Sequence, residues 1–326
     1  MRAITIDGFG GPEVMRIADV PPPELADGEV AIRMAYAGVN PADWKLREGW
    51  LNRFDWFRPS FPFVLGYDGA GVVEAVGDGV AGLAPGDRVL VKSDQSFGRW
   101  GTFAERLCVA ADMVGRVPEG VKLEDAATLP VAGLTAWHGL FQHGGLATGQ
   151  SVFVNAGAGG VGSLAVQFAA DAGARVLASC SPANASYLES LGAERTFDYA
   201  APGLTAAVIE HSGEGVDLVL DAAGAPNRDL LAVLKPGGTY VRIPSLGPDD
   251  DIGSEALARE RGLKLVKGGI VRDGARAALE AMAALLREGR VSAPETEILP
   301  IVEARDALER NKAGRQRGKL VLRIWE

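Results

Sequence analysis

The sequence predicts an α/β protein of two domains. One is β-rich and drawn from both ends of the chain; the other, inserted between them, is a doubly wound parallel sheet with helices on both faces. Three observations predict it. The first hundred or so residues read as short strand-like runs separated by Gly, Pro and Asp. After about residue 124 apolar strands alternate with helices, the rhythm of a parallel sheet buried on both faces. Within that region "SVFVNAGAGGVG" (151–162) carries an apolar strand into closely spaced glycines. The expected boundaries are 1–123 with 267–326 for the first domain and 124–266 for the second.

Taken in order, "MRAITI", "EVAIRMAYAGV", "AGVVEAVG", "DRVLV" and "FAERLCVA" are the N-terminal strands. "PPPELADGE" (21–29) is a loop, and "PADWKLREG" (41–49) is one or two helical turns opened by Pro41 and closed by Gly49. In the middle region "SVFVNA", "ARVLASC", "RTFDY", "VDLVLDAAG", "GGTYVRI" and "GLKLVKGG" are strands. "SLAVQFAADAG" (163–173) is a helix stopped by Gly173, and 181–192 is a helix with Ser181 at its N-cap, Pro182 at its first position and Gly192 past its end. The tail reads as amphipathic helices over 275–289 and 301–314, then the strand "KLVLRI" (319–324), which returns to the first domain.

Composition excludes several classes. The 326 residues are 47% hydrophobic and 23% charged, as in a folded globular chain. A net charge of −9 argues against a sequence-independent nucleic-acid surface. No basic amphipathic helix suggests a membrane surface, and no apolar run reaches spanning length. The opening residues lack the pattern of a secretory signal. Cys108 and Cys180 are far apart and outside CxxC spacing, so both are expected as reduced, inert thiols of a cytoplasmic protein.

Gly157, Gly159 and Gly162 fit G-x-G-x-x-G between a strand and a helix. In such a turn the first glycine permits the bend, the second admits a pyrophosphate to the backbone, and the third packs helix against strand. The pyrophosphate then meets the free N–H groups of a helix N-terminus. The competing reading is a plain strand-to-helix turn, and the strands that follow favour the dinucleotide. An NAD site carries Asp or Glu about 20 residues on, at the end of the second strand. Here that place reads "ASCSPANAS" (178–186), without an acid, so NADP (NADPH) is the expected cofactor, although no Arg or Lys lies between Arg175 and Arg195.

The layout and nine local motifs resemble the medium-chain dehydrogenase/reductase superfamily, most closely its zinc-independent, zeta-crystallin-like quinone oxidoreductase branch. In order they are "AGVNPAD", "FPFVLGYDGAGVV", "GDRV", "GTFAE", "AATLPVAGLTAW", "NAGAGGVG", "GVDLVLDAAG", "LKPGG" and "GKLVL". The resemblance implies a GroES-like β-barrel catalytic domain, a Rossmann domain, and a homodimer joined through the last Rossmann strand, "GLKLV". The zinc alcohol dehydrogenases of this superfamily place a Cys near 40 and a His near 67; this chain has Asn40 and Tyr67, and lacks the lobe of four close cysteines. His138, His143 and His211 read as structural or surface residues, the last in a polar turn, so no metal site is expected.

Without a Lewis acid the easier reaction is hydride transfer to an already electrophilic quinone or α,β-unsaturated carbonyl. The resemblance makes Asn40 an active-site amide, for substrate oxygen or a ribose hydroxyl, and Tyr67 a donor to substrate oxygen. The competing readings are a turn Asn before Pro41 and a barrel-core Tyr. Asp43 and Asp68 read as structural. Some of Trp44, Trp50, Phe54, Trp56, Phe57 and Phe61 are expected to wall the acceptor pocket. The family's tyrosines in this stretch are replaced by Lys45 and Leu51. For the cofactor, the resemblance implies Ala158, Gly159, Gly160 and Val161 around the pyrophosphate and Ser179 and Ser181 at the adenosine ribose. By motif position it adds Tyr199, Thr135, Ala222, Gly224, Ile243 and Lys319, the last competing with a solvated charge. Two alternatives stand beside the quinone or enone reductase. One is an enoyl reductase on an acyl-thioester or polyketide intermediate, with Lys45, Arg47, Arg53 and Arg58 as a basic channel mouth. The other is a non-catalytic NADPH-binding or redox-sensing protein.

Overall fold

The computed structural model describes residues 1–98, 100–224, 227–246, 255–314 and 317–325. The chain divides into two compact units, Met1–Leu134 with Val271–Glu326, and Thr135–Ile270. Among the described residues no helix is long and apolar enough to cross a membrane.

The first unit holds β1 (Arg2–Ile6), β2 (Arg16–Asp19), β3 (Glu29–Gly38), β4 (Phe63–Val64), β5 (Asp68–Val76), β6 (Arg88–Lys92), β7 (Arg106–Ala110) and β8 (Val114–Arg116). The second unit supplies β9 (Ser151–Asn155), β10 (Arg175–Cys180), β11 (Arg195–Asp198), β12 (Val216–Asp221), β13 (Leu234–Arg242) and β14 (Lys264–Lys267). The tail returns β15 (Thr296–Pro300) and β16 (Lys319–Arg323) to the first. Sequence reading missed β2, β4, β8 and β15, each short or exposed and so without a clear apolar alternation.

In the first unit a sheet runs β15-β16-β3-β5-β6-β8, with β7 also on β3, and a smaller one runs β2-β1-β4. Alternation along β3 buries Val30, Ile32 and Met34 while Arg33 faces solvent. The β3–β5 register shifts twice, between Ala31 and Ile32 and between Met34 and Tyr36, which curls the pair. β16 pairs antiparallel with β3 (Val321 opposite Gly38), so the last strand completes the sheet that the first hundred residues begin. The helix Pro41–Arg47 packs against the tail helix Ala304–Ala313 through a buried cation. The Arg47 guanidinium, fully buried, donates to Glu309 Oε1 at 2.7 Å and to Glu48 Oε1 at 2.9 Å. Arg47 is therefore no part of a basic channel mouth.

The second unit is one six-stranded parallel sheet in the order β11-β10-β9-β12-β13-β14. Counted along the unit this is 3-2-1-4-5-6, the doubly wound Rossmann order. Every residue of β9 is buried. Phe153, Leu177, Val219, Leu230, Leu234 and Tyr240 share one core cluster. The helix after the glycine turn begins at Gly160, earlier than expected, and runs to Asp171. The expected helix over 181–192 is a 3₁₀ turn, Pro182–Asn184, followed by a short helix, Ala185–Ser190. His211 sits in the last turn of a helix, Leu204–Ser212, rather than in a polar turn, with Nε2 3.0 Å from Glu194.

Arg47→Ala removes the cation between the two helices and leaves a cavity. Because Glu309 is partly exposed and regains water, the expected cost is about 2–4 kcal/mol. It is read as a lower thermal midpoint by circular dichroism, and an unchanged midpoint excludes the latch.

Candidate functional site

In the second unit the topological switch lies between β9 and β12, and the glycine turn follows β9 there. The three glycines differ in what surrounds them. A Cβ on Gly157 would lie 2.7 Å from Leu188 Cδ1, and one on Gly162 would lie 2.3 Å from the Ala156 carbonyl oxygen. A Cβ on Gly159 would meet only that same oxygen, at 3.5 Å. The first and third glycines are thus filled in by the protein, while the second is open on its outer side, as the close approach of a pyrophosphate requires. Gly159 caps the helix without a side-chain hydrogen bond, and no acid stands in the first turn. Ala158, Gly160 and Val161 are partly exposed along the turn. The residues present therefore fit a dinucleotide.

A buried polar chain supports the turn. Ser179 Oγ accepts from the Ala156 N–H at 3.0 Å and donates to Asn155 Oδ1 at 2.6 Å. Asn155 Nδ2 donates to Asp221 Oδ1 at 2.8 Å, across the switch point, and the Tyr240 hydroxyl donates to Asp221 Oδ2 at 2.5 Å. Ala156 takes φ +61°, a left-handed conformation that this chain holds in place. The expected role of Ser179 is corrected here. Its side chain is fully buried and its hydroxyl is spent under the turn, so it does not reach a ribose. Ser181 lies half-buried at the end of β10, accepting from Asn184 Nδ2 at 3.2 Å. Tyr199 is exposed and Thr135 buried. Ala222, Gly224 and Ile243 follow the carboxyl ends of β12 and β13, where the buried Arg242 donates to the Ala223 and Ile243 carbonyls at 2.6 and 2.9 Å.

In the first unit the sequence "NPAD" opens the helix Pro41–Arg47, and its Asp43 joins two segments. Asp43 Oδ2 accepts the Asn40 N–H at 2.7 Å and Oδ1 accepts the Tyr67 N–H at 3.0 Å. Burial pushes the Asp43 carboxyl up to about 7; Asp68 adds to the rise, while those N–H donors and the Lys319 ammonium hold it back. Lys319 is not a solvated charge. It is 4% exposed and donates to Asn40 Oδ1 at 2.7 Å and Asp68 Oδ2 at 2.8 Å. Asp68 Oδ1 accepts the Val131 N–H at 2.6 Å. With its oxygen held by Lys319, Asn40 presents Nδ2, a buried donor without a partner. An unmet buried donor costs about 1–3 kcal/mol unless a ligand satisfies it.

Tyr67 follows Gly66, whose φ of +111° and contact with Thr102 and Phe103 leave no room for a side chain. The Tyr67 hydroxyl lies 2.5 Å from Ser96 Oγ, and burial raises its phenol above the ordinary range. Ser96 sits on the turn after β6 beside Gln95, a buried amide with neither polar atom partnered. The same turn carries Phe97, 72% exposed and 5.3 Å from the Trp56 ring, which stacks on Phe54. Phe57 and Leu51 belong to the core. Trp44 and Trp50 meet edge to face beneath Lys45. Sequence reading missed Lys92 and Ser96, because only the β5–β6 pairing brings them to Tyr67, and Phe97, which the same turn carries to Trp56.

Among the described residues no three His, Cys, Asp or Glu side chains are placed to hold a metal ion. His138 is buried, and burial, with His143 adding, lowers it to about 4; His143 Nε2 lies 2.9 Å from the Gly269 carbonyl.

A Rossmann unit with an open glycine turn, and a unit carrying an orphan amide and a hydroxyl pair, define a two-domain dehydrogenase fold. The family models agree: an alcohol dehydrogenase GroES-like domain matches residues 26–119, and a zinc-binding dehydrogenase model matches residues 191–322. A chloroplast envelope quinone oxidoreductase homolog of Arabidopsis thaliana is 31% identical over 99% of this chain and 98% of its own length. A synaptic vesicle membrane protein VAT-1 homolog-like of Mus musculus is 33% identical over 74% of this chain, which spans 56% of that longer protein. The solved quinone oxidoreductase from Coxiella burnetii superposes with a TM-score of 0.85 at 30% identity, covering 100% of this chain and 99% of that one. The chain belongs to the medium-chain dehydrogenase/reductase superfamily and is an oxidoreductase of that superfamily, whose dehydrogenases take nicotinamide cofactors.

Two predictions follow from the first unit. Lys319→Met leaves Asp68 buried without its cation, at an expected cost of about 3–5 kcal/mol, visible as a large fall in thermal midpoint. Asp43, with a folded pKa raised to about 7 from 3.8, contributes stability that is fully present below about pH 4 and lost as pH rises through about 7. The midpoint of the parent relative to Asp43→Asn is therefore expected to fall between pH 4 and 7 and then level off. A flat difference shows that Asp43 does not titrate there.

Proposed function

We propose that this chain is a zinc-independent, NADPH-dependent reductase of quinones or α,β-unsaturated carbonyls. The observation that carries the reading is the orphaned Asn40 Nδ2, pinned by Lys319, together with the Tyr67–Ser96 hydroxyl pair. These are neutral hydrogen-bond donors at the two positions where zinc-dependent relatives put metal ligands. A conjugated acceptor needs such donors where negative charge gathers on its oxygen. Bound nicotinamide supplies the hydride. Asn40 holds an oxygen of substrate or cofactor ribose, and Tyr67 delivers the proton. The exposed Trp56 and Phe97 rings, joined to that hydroxyl pair by the turn at 94–98, suit a flat acceptor.

The NADPH preference is supported by the end of β10, where Cys180, Ser181 and Asn184 stand in place of an acid. Ala158, Gly159, Gly160 and Val161 cradle the pyrophosphate, with 124–266 as the cofactor-binding domain and 1–123 with 267–326 as the catalytic one. The edge strand β14, with Leu265 and Val266 half-buried, is the expected seam of a homodimer. Two free thiols, Cys108 and Cys180, suit a cytoplasmic setting.

The test is NADPH and NADH consumption by metal-stripped protein with a simple quinone and a simple enone side by side. NADPH-dependent turnover of either supports the reading. Tight binding without turnover moves it to a non-catalytic sensor, and activity restored only by zinc overturns it. Asn40→Ala is expected to keep the circular dichroism spectrum and lose about a hundredfold in turnover; unchanged turnover removes Asn40 from the mechanism.

A further inference from the structure

The β5–β6 ladder sets Asp68 opposite Lys92. Two further bonds clamp the end of β6 to the segment before β5: Ser93 N–H to the Tyr67 carbonyl at 2.7 Å, and Ser93 Oγ to the Gly66 carbonyl at 2.7 Å. The clamp holds Lys92 Nζ over the Tyr67 ring, 5.6 Å from its centroid, while Ser96 meets the Tyr67 hydroxyl at 2.5 Å. A serine hydroxyl and a lysine ammonium are thereby gathered on one buried phenol.

Of the surrounding charges, Asp43 acts on Tyr67 and raises its phenol further, while Asp94 and Asp68 act on Lys92. Asp94 is 3.8 Å from Lys92, but its Oδ2 accepts Arg272 at 2.8 Å, and Arg272 also binds Asp112. Asp68 accepts Lys319 at 2.8 Å. Asp43 accepts two backbone N–H groups and faces Tyr67 from the helix side. The hydrogen bond of Lys92 runs to the Ser93 carbonyl at 2.9 Å. Burial lowers the Lys92 ammonium, as expected for a cation whose counter-charges are shared.

The geometry points to Lys92 as a positioning residue that acts through Tyr67, its ammonium stabilising the tyrosinate left when Tyr67 gives its proton to the acceptor. This rests on the reductase reading above. As hydride reaches the acceptor carbon, charge moves to the acceptor oxygen. The Tyr67 O–H bond breaks and a new O–H bond forms on that oxygen. The tyrosinate charge then faces Lys92, until the Ser96 hydroxyl passes it a proton and takes one from water. A buried phenol without a cation behind it is a poor proton donor; a cation about 6 Å away changes its ionisation by tenfold or more.

The test places 3,5-difluorotyrosine at position 67 of the full chain and follows its ionisation by ultraviolet absorbance, which needs no acceptor. Lys92→Met is expected to raise the midpoint by about one pH unit or more, and Lys92→Arg to restore it to within about half a unit. An unmoved midpoint in Lys92→Met overturns the proposal. If Lys92→Met does not fold, Lys92→Gln replaces it under the same expectation. In the natural chain Lys92→Met is expected to lower kcat about tenfold with the KM for NADPH unchanged, and Tyr67→Phe to lower it at least as far. Full activity of Tyr67→Phe also overturns the proposal. A parent chain that turns over no acceptor defeats the reductase reading alone, since the titration still decides whether Lys92 governs Tyr67.

Discussion

The buried pair of Lys319 and Asp68 is the interaction on which the first unit turns. Lys319 opens β16, Asp68 opens β5, and β3 lies between those strands in the sheet. Taking two charges out of water is expensive, and an apolar pair of similar volume is often as stable or more so. What an apolar pair cannot do is orient an amide. Lys319 is all donor, so it draws Asn40 Oδ1 toward itself and turns Asn40 Nδ2 the other way. The charge pair thus aims the orphan donor, and it does so only once the last strand of the chain has paired with β3.

Asp43 does the same work on the backbone. One carboxylate accepts the N–H groups of Asn40 and Tyr67, residues 27 positions apart, and so sets their separation. Two segments that read as unrelated motifs, "NPAD" and "GYDG", are a single device: the aspartate of the first receives the backbone of the second, and the aspartate of the second receives the lysine that orients the first. The burial that holds this device together also lifts the Asp43 carboxyl to about 7, so what Asp43 contributes to stability depends on pH.

Local order explains what the sequence discloses and what it hides. The glycine turn was legible because strand, G-x-G-x-x-G and helix are consecutive, and the first and third glycines answer local steric demands. The β-α-β rhythm gave the parallel sheet for the same reason. Ser179 misled because a serine at a strand end has two faces, and the pleat turned this one inward beneath Ala156. Lys319 read as a surface charge because its partners, Asn40 and Asp68, lie 279 and 251 residues away. Lys92 and Ser96 gave no signal at all. Their closeness to Tyr67 is a consequence of β-register, which no window of neighbouring residues contains.

The two units meet different physical demands. The glycine turn is a backbone device: its form lies in where a Cβ does and does not fit, and a polar chain from Ser179 to Tyr240 stiffens it from below. The Asn40–Tyr67 cluster is a side-chain device in which charge is kept one step back from the neutral amide and hydroxyl. A metal ion brings a concentrated charge directly to a substrate oxygen. Under the reductase reading, Asn40 and Tyr67 offer that oxygen only neutral donors, and any formal charge acts through them. Lys319, buried, is bonded to Asn40, and Lys92, partly buried, lies over the Tyr67 ring, so a cation stands beside each neutral donor. Under the reductase reading, that repeated arrangement stands in for a metal's charge, and it favours acceptors that arrive already polarised over alcohols that must be deprotonated.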